Sequence, residues 1–327
     1  MKAIRLHDFG PAENLRHVEV DDPVPGPGQV RIAVRAAGVH LLDVAIQKGD
    51  AEGLPFPPPQ PPFIPGREVA GVVDRLGDGV DRRWLGRRVV THLGLAHGGY
   101  AELAVREVEA LHEIPEELNF AQAVAMIGTG RTAIGILDAA QPKPEDVVLV
   151  TAAAGGIGGL LVQHCRHLGA TVIGLAGGER KAERVRRLGA HVAVDYTRPG
   201  WPDQVREELN GREITLAFDG VGGEPGRAAL ELLGTAGRFV MFGWSAGAPT
   251  KITTDDLYAR VLTVTVALGP RLLARPGGLR SLETEALALA ASGRMVPDVQ
   301  TFALAEAAAA HTALDGRATV GKVVLVP

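Results

Sequence analysis

The part of this sequence best suited to chemistry is Val147-Val-Leu-Val-Thr-Ala-Ala-Ala-Gly-Gly-Ile-Gly158, an apolar run that breaks into a turn of small residues. Ala153, Gly155 and Gly158 stand in the spacing A-x-G-x-x-G, and Gly156, Ile157 and Gly159 complete the turn. Glycines let backbone N–H groups approach a pyrophosphate, and a helix opening at that point directs its positive end at the anion. A bare glycine pattern is weak evidence; here a buried strand precedes it and a helical pattern follows, which is the context dinucleotide binding requires.

The next strand bears on which dinucleotide. An NAD site carries an acid about 20 residues on, at the strand end, for the ribose hydroxyls. Thr171–Ala176 runs instead into Gly177-Gly178, followed by Arg180 and Lys181 at the start of a helix. The glycines leave room for a 2′-phosphate and Lys181 is a cation to neutralise it, which favours NADPH. The alternative is that Arg180 and Lys181 are solvated helix charges near Glu183. Ligands of such sheets sit beyond the carboxyl ends of the strands. Gly220 and Val221 in Asp219-Gly-Val-Gly222, and Phe242, Gly243 and Trp244 in the next such turn, occupy those positions. They either line the cofactor or form ordinary turns. Tyr196, ending the third strand, is placed to stack on adenine or to serve a structural role.

Two compositional styles position these residues. Residues 1–119 read as short β segments punctuated by Pro and Gly, among them Val30–Ala37, Glu68–Leu76, Arg87–Leu93 and Tyr100–Arg106, which suggests a barrel-like, mostly antiparallel unit. The segment Leu54–Gly66 holds seven prolines and reads as an extended loop. From Phe120 the chain alternates strands (Val147–Thr151, Thr171–Ala176, His191–Tyr196, Ile214–Val221, Arg238–Trp244) with helices (Gly156–Leu168, Glu179–Leu188, Pro202–Leu209, Pro225–Leu233). That alternation specifies βαβ units and a parallel sheet. A strand at Val261–Leu268, a helix at Leu282–Ser292, a strand at Val299–Leu304, a helix at Ala305–Leu314 and a strand at Lys322–Val326 follow.

Composition removes several function classes. A chain of 327 residues suggests about two domains, and 46% hydrophobic with 22% charged residues is not the composition of a disordered chain. No apolar run approaches the roughly 20 residues of a membrane helix, Phe120–Ala140 being broken by Arg131 and glycines. Charges at Lys2, Arg5, His7 and Asp8 leave no signal-peptide core. The single cysteine, Cys165, excludes an internal disulfide framework and a multi-cysteine zinc cluster, and reads as a buried, inert thiol. The net charge is −4, and the six lysines and 28 arginines are interleaved with acids, which disfavours a nucleic-acid partner. The expectation is a soluble, cytoplasmic protein with no membrane partner.

Taken together, Ala36-Ala-Gly-Val-His-Leu-Leu-Asp43, Pro65-Gly-Arg-Glu-Val-Ala-Gly-Val-Val73, Gly99-Tyr-Ala-Glu102, Ala152-Ala-Ala-Gly-Gly-Ile-Gly158, Phe218-Asp-Gly-Val-Gly222 and Gly321-Lys-Val-Val-Leu-Val-Pro327 resemble the medium-chain dehydrogenase/reductase superfamily, in its zinc-independent quinone oxidoreductase (zeta-crystallin-like) branch. The resemblance implies an α/β protein: a GroES-like, mostly-β catalytic domain from residues 1–120 and 270–327 around an inserted Rossmann NADP-binding domain, residues 121–269. It also implies homodimers or tetramers assembled through the strand at Val261–Leu268. Zinc-dependent relatives place a histidine where Arg67 stands, a cysteine at the position of His40 and a third ligand near Gly128. An arginine stays protonated and is a poor ligand, so no zinc is expected.

Without a Lewis acid, the chemistry suited to such a site is hydride delivery to an acceptor that is already electrophilic, a quinone or an enone. Alternatives are an enoyl reductase of a biosynthetic pathway and an NADPH-binding protein with a mainly structural or regulatory role. His40 either donates a hydrogen bond or proton to the acceptor or packs with its nitrogens satisfied. Asp43 is expected to orient its surroundings. Thr132 matches a family threonine near the nicotinamide, although Ile134 and Gly135 follow where relatives carry a tyrosine. Lys322 is expected to approach the cofactor or to be a solvated strand-edge charge. His92 and His97 read as ordinary loop histidines.

Overall fold

The computed structural model describes residues 1–50 and 57–327 and divides the chain into two compact units, Met1–Thr129 with Pro297–Pro327, and Gly130–Val296. The first opens with a hairpin of β1 (Lys2–Leu6) and β2 (Leu15–Glu19). Its long strand β3 (Gln29–Val39) alternates buried Val30, Ile32 and Val34 with more accessible residues, the period-two pattern of a sheet with one covered face. Helix α1 (Leu41–Lys48) leaves β3 at His40, whose backbone N–H donates to the Asp43 carboxylate at 2.8 Å, a reach-back that caps the first turn. Strands β4 (Glu68–Leu76), β5 (Arg88–His92), β6 (Leu103–Glu107) and β7 (His112–Glu113) follow, then helix α2 (Phe120–Ala125). Residues 54–56 of the proline-rich segment lie outside the described residues; further along it, Phe63 bridges to Leu6.

The chain enters the second unit within a five-residue π turn, Met126–Gly130, and continues as α3 (Arg131–Ala140). The helical run Phe120–Ala140 is, by length and mean hydropathy (1.3), apolar enough to cross a membrane, contrary to the expectation that Arg131 and the glycines break it. It is 72% buried as a core helix, and Arg131 is accommodated by a 2.7 Å ion pair to Glu283.

The rest of the second unit alternates β8 (Val147–Val150), α4 (Gly156–Leu168), β9 (Thr171–Ala176), α5 (Glu179–Arg187), β10 (Val192–Asp195), α6 (Trp201–Leu209), β11 (Ile214–Asp219), α7 (Gly223–Glu231), β12 (Leu233–Met241), α8 (Thr254–Arg260) and β13 (Thr263–Val266). All six strands are parallel in the order β10-β9-β8-β11-β12-β13, the doubly wound arrangement whose direction reverses between β8 and β11. Leu149, Ile173, Leu175, Ala217 and Phe239 fill its core with no exposure.

Two boundaries differ from expectation. Strand β12 starts at Leu233 rather than Arg238, because its pairing with β11 jumps from Ile214↔Leu233 to Leu216↔Arg238 across an irregular, glycine-flanked stretch. The second unit also extends past residue 270. After α9 (Pro270–Leu273), helix α10 (Gly278–Ala291) packs on α3, with Leu282 fully buried, so the chain returns at Pro297. Strand β14 (Val299–Ala303), helix α11 (Ala307–Asp315) and strand β15 (Lys322–Val326) then complete the first unit's sheet, whose order is β14-β15-β3-β4-β5-β7 with β6 on β3.

Candidate active site

Glu68, the first residue of β4, is a fully buried carboxylate. His40 Nε2 lies 2.7 Å from its Oε1 and Lys322 Nζ 3.0 Å from its Oε2, while Nζ and Nε2 are 2.9 Å apart. The strand order explains the convergence. The β3 end delivering His40 lies between β4, which begins with Glu68, and β15, which begins with Lys322. Only the imidazole is open to solvent, with 22% of its side chain exposed against 5% for Lys322 and none for Glu68. Burial alone would raise the Glu68 carboxyl, but the His40 and Lys322 charges override it and hold Glu68 well below the usual carboxylate range. Burial lowers the Lys322 ammonium, opposed by Glu68.

Two glycines make room for this carboxylate. A Cβ on Gly128, in the π turn, would overlap Glu68 Oε1; one on Gly38 would overlap Oε2 and come 3.1 Å from Lys322 Cε. π turns concentrate at functional sites, and this one brings backbone against the carboxylate.

Asp43 accepts the His40 backbone N–H and, at 3.3 Å, the Tyr100 hydroxyl; Tyr100 in turn lies 3.1 Å from His311 Nε2. His311 is fully buried and pushed down to about 4 by desolvation, so it is neutral at pH 7. Asp43 therefore orients the start of α1 on a buried polar network. His92 Nδ1 accepts the Gly94 N–H at 2.9 Å; His97 is buried, with φ +57°, and packs edge-on to Phe63.

A zinc ion does not suit this donor set. His40 and Glu68 supply two donors, Arg67 is a buried guanidinium 3.6 Å from Asp43, Gly128 contributes no side chain, and the Lys322 ammonium sits against both donors. A catalytic zinc needs three protein ligands, and among the described residues no cluster of three or more His, Cys, Asp or Glu is formed that could hold a metal.

In the second unit the glycine-rich turn follows β8 as expected. Ala152 takes a left-handed conformation (φ +48°), and Gly155 N–H donates to its carbonyl at 2.9 Å. A Cβ on Gly158 would overlap the Ala152 carbonyl oxygen and come 2.8 Å from Ala153 Cα, so the helix can approach the turn only with glycine there. Ala153 is fully buried and ties the turn to β9 through Leu175. The first-turn N–H groups of α4, including those of Gly156, Ile157 and Gly158, have no acceptor within the helix and are the donors a phosphate requires.

Asp219, at the end of β11, holds the neighbouring turn. Its Oδ1 accepts the Thr151 hydroxyl (3.1 Å) and the N–H groups of Val221 (3.0 Å) and Gly222 (3.1 Å), and its Oδ2 accepts the Thr250 hydroxyl (2.6 Å). A Cβ on Gly220 would overlap the Phe242 ring, and Gly243 packs close to Gly220. Trp244 is 47% exposed and so does not fill core. At the end of β9, Gly178 N–H donates to Asp195 at 2.8 Å, and the Tyr196 hydroxyl sits beside Gly177. Lys181 is the third residue of α5, and Thr132 the second of α3.

The structure thus groups Ala153, Gly155, Gly156, Ile157, Gly158, Gly220, Val221, Phe242 and Gly243 around the carboxyl ends of β8, β11 and β12, with Gly177 and Tyr196 at β9 and β10. Lys322 lies in the first unit, against Glu68 and His40. Sequence reasoning missed the anchoring roles of Asp219 and Asp195, whose signal was an acid at a strand end beside a glycine turn. It also missed the Glu68–Lys322 pairing, whose signal was a charged residue opening each of two apolar strands.

Residues 26–116 match the family described as alcohol dehydrogenase GroES-like domain, and residues 156–287 that described as zinc-binding dehydrogenase. A 2-haloacrylate reductase of Burkholderia sp is 33% identical over 98% of this chain and 98% of the relative. The structure of Escherichia coli quinone oxidoreductase complexed with NADPH superposes with a TM-score of 0.87 at 30% identity, covering all of both chains. That of an NAD-dependent alcohol dehydrogenase gives 0.88, also at 30% identity and full coverage. The protein is an oxidoreductase built from a GroES-like and a Rossmann domain. It belongs to the medium-chain dehydrogenase/reductase superfamily, in the quinone oxidoreductase branch.

Proposed function

We propose that this protein uses NADPH, without zinc, to reduce quinones or carbon–carbon double bonds conjugated to a carbonyl or carboxyl group. The observation that carries this reading is the partly exposed imidazole of His40 backed by the buried Glu68–Lys322 pair: a polar group able to meet negative charge on an acceptor oxygen, where a metal does not suit the donors. The haloacrylate and quinone relatives, whose acceptors are already electrophilic, support the acceptor class.

Bound NADPH supplies the hydride. The α4 N-terminus and the glycine turn bind its pyrophosphate, Lys181 its 2′-phosphate, Tyr196 its adenine, and Gly220, Val221, Phe242, Gly243 and Trp244 the remainder, with Thr132 toward the nicotinamide. Asp43 holds the His40 backbone, and His40 supplies a proton to the reduced acceptor. Assembly as a homodimer or tetramer along the β13 edge, where Val266 is exposed, and a cytoplasmic setting, consistent with the single buried thiol of Cys165, belong to the same reading.

The experiment is loss of nicotinamide absorbance with NADPH and with NADH against quinones, enones and 2-haloacrylates, with and without a chelator. Chelator-insensitive NADPH oxidation is expected. Turnover confined to enoyl thioesters would replace the acceptor class with that of a biosynthetic enoyl reductase. Tight NADPH binding with no turnover would make the role one of binding. Two variants test individual roles. Lys181→Ala should raise the NADPH dissociation constant about 10–100-fold, as expected for the loss of a charged phosphate contact, and that of NADH less than about twofold; equal effects would remove its phosphate role. His40→Ala should lower kcat by about 10²-fold or more at unchanged NADPH affinity, the usual contribution of general acid catalysis.

A further inference from the structure

We propose that Lys322 is a positioning residue that tunes His40 as a proton donor, serving as a fixed cation that offsets Glu68. This inference rests on the reductase reading above. It goes beyond that reading in giving a role to a lysine far from His40 in sequence.

The geometry sets up a three-body balance. Glu68 is entirely buried, and one oxygen touches His40 Nε2 while the other touches Lys322 Nζ. A buried carboxylate facing an imidazole alone stabilises the imidazolium, making it hold its proton and act as a weak acid. The ammonium 2.9 Å from Nε2 opposes that effect directly and also neutralises Glu68. Glu68 and Lys322 therefore act on the His40 proton in opposite senses. Among the described residues, the other charged groups acting on this cluster are Asp43 on α1 and Arg67 before β4, 3.6 Å apart and both facing Lys322, and His92 at the end of β5, which faces Glu68. Asp43 and Arg67 offset one another, so the Glu68–Lys322 pair governs the balance.

In the reaction, a hydride adds to the acceptor carbon and the displaced π-electron pair moves to the acceptor oxygen. That oxyanion takes a proton from the His40 imidazolium, which is left neutral. The neutral imidazole recovers a proton from water. The product is the acceptor plus two electrons and two protons, one proton having arrived with the hydride.

The test is the pH dependence of kcat in wild type, Lys322→Met, Lys322→Arg, Glu68→Gln and the Met/Gln double variant, with the His40 ring titrated by NMR in each. In Lys322→Met the alkaline limb and the ring titration should move up by about 1–3 pH units, with kcat falling about tenfold and KM by less than about twofold. Glu68→Gln should move both down, the double variant should return them to within about half a unit of wild type, and Lys322→Arg should retain them. Should one variant fail to fold, the sign of the shift in the others decides. An unmoved limb and ring titration in Lys322→Met, or shifts of the same sign in Lys322→Met and Glu68→Gln, would overturn the proposal. A wild type inactive on every acceptor would overturn the reductase reading instead, and the ring titrations would still judge Lys322.

Discussion

Gly158→Ala is expected to weaken NADPH binding by at least about 100-fold, an energetic loss of roughly 3 kcal/mol. The added methyl would overlap the Ala152 carbonyl oxygen and lie 2.8 and 2.9 Å from Ala153 Cα and Ala152 C, all of them backbone atoms. A flexible side chain could swing aside, but these atoms cannot move without reshaping the turn. Ala152 is already held in the left-handed region, and Ala153 is tied to β9 through the Leu175 carbonyl. Relief must therefore come from moving α4 outward, which withdraws its first-turn N–H groups from the pyrophosphate. Fluorescence titration with NADPH measures the effect; an affinity within threefold of wild type would remove this turn from the cofactor site. Gly178→Ala makes a useful contrast: it meets no neighbouring atom, so only the strain of its positive φ, about 1–2 kcal/mol, opposes it.

Asp219→Ala is expected to destabilise the protein by roughly 3–5 kcal/mol, because it leaves buried donors without their acceptor. The Thr151 and Thr250 hydroxyls can rotate in search of new partners, but the Val221 and Gly222 N–H groups are held by the chain. Thermal unfolding should show the midpoint falling by about 6–20 °C. NADPH affinity should fall too, since the Gly220–Gly222 turn loses its anchor. Asp219→Asn keeps one oxygen acceptor and should cost less than half as much. A midpoint within 2 °C of wild type in Asp219→Ala would contradict the anchoring role.

Much of the second unit was legible because its signals are local. The β8–turn–α4 segment declares itself through an apolar run, a cluster of glycines and a helical period within about twenty residues, and α4 and β9 have the expected bounds. Strand β12 was misjudged at its start because a local irregularity leaves no periodic mark. Helix α10 was assigned to the wrong unit because its amphipathic pattern states that one face is buried, not against what; the answer, α3, lies far back in the chain. The first unit's cluster was the least legible part. In sequence, His40, Arg67 and Gly128 stand out only as the positions of a metal site in zinc-dependent relatives, and Glu68 carries no signal of its partners. Lys322 is 282 residues from His40, and only the pairing of β15 with β3 brings them together. Nor does a glycine such as Gly128 reveal in sequence that a carboxylate fills the space its missing side chain leaves.

The position of β15 has a consequence for biosynthesis. It lies between β14 and β3, and it carries the cation that faces Glu68. On the ribosome, the strands bearing His40 and Glu68 are made early, yet the lysine that balances them emerges only after some 250 further residues, when the second unit's sheet is already synthesised. A nascent chain stalled before residue 322 holds Glu68 against His40 without its ammonium and leaves the Ala37–Val39 end of β3 without the partner strand β15. Completion of the catalytic unit therefore follows synthesis of the second unit, and a chain clipped just before β15 should retain a folded nucleotide-binding unit while being unable to close the sheet that holds His40.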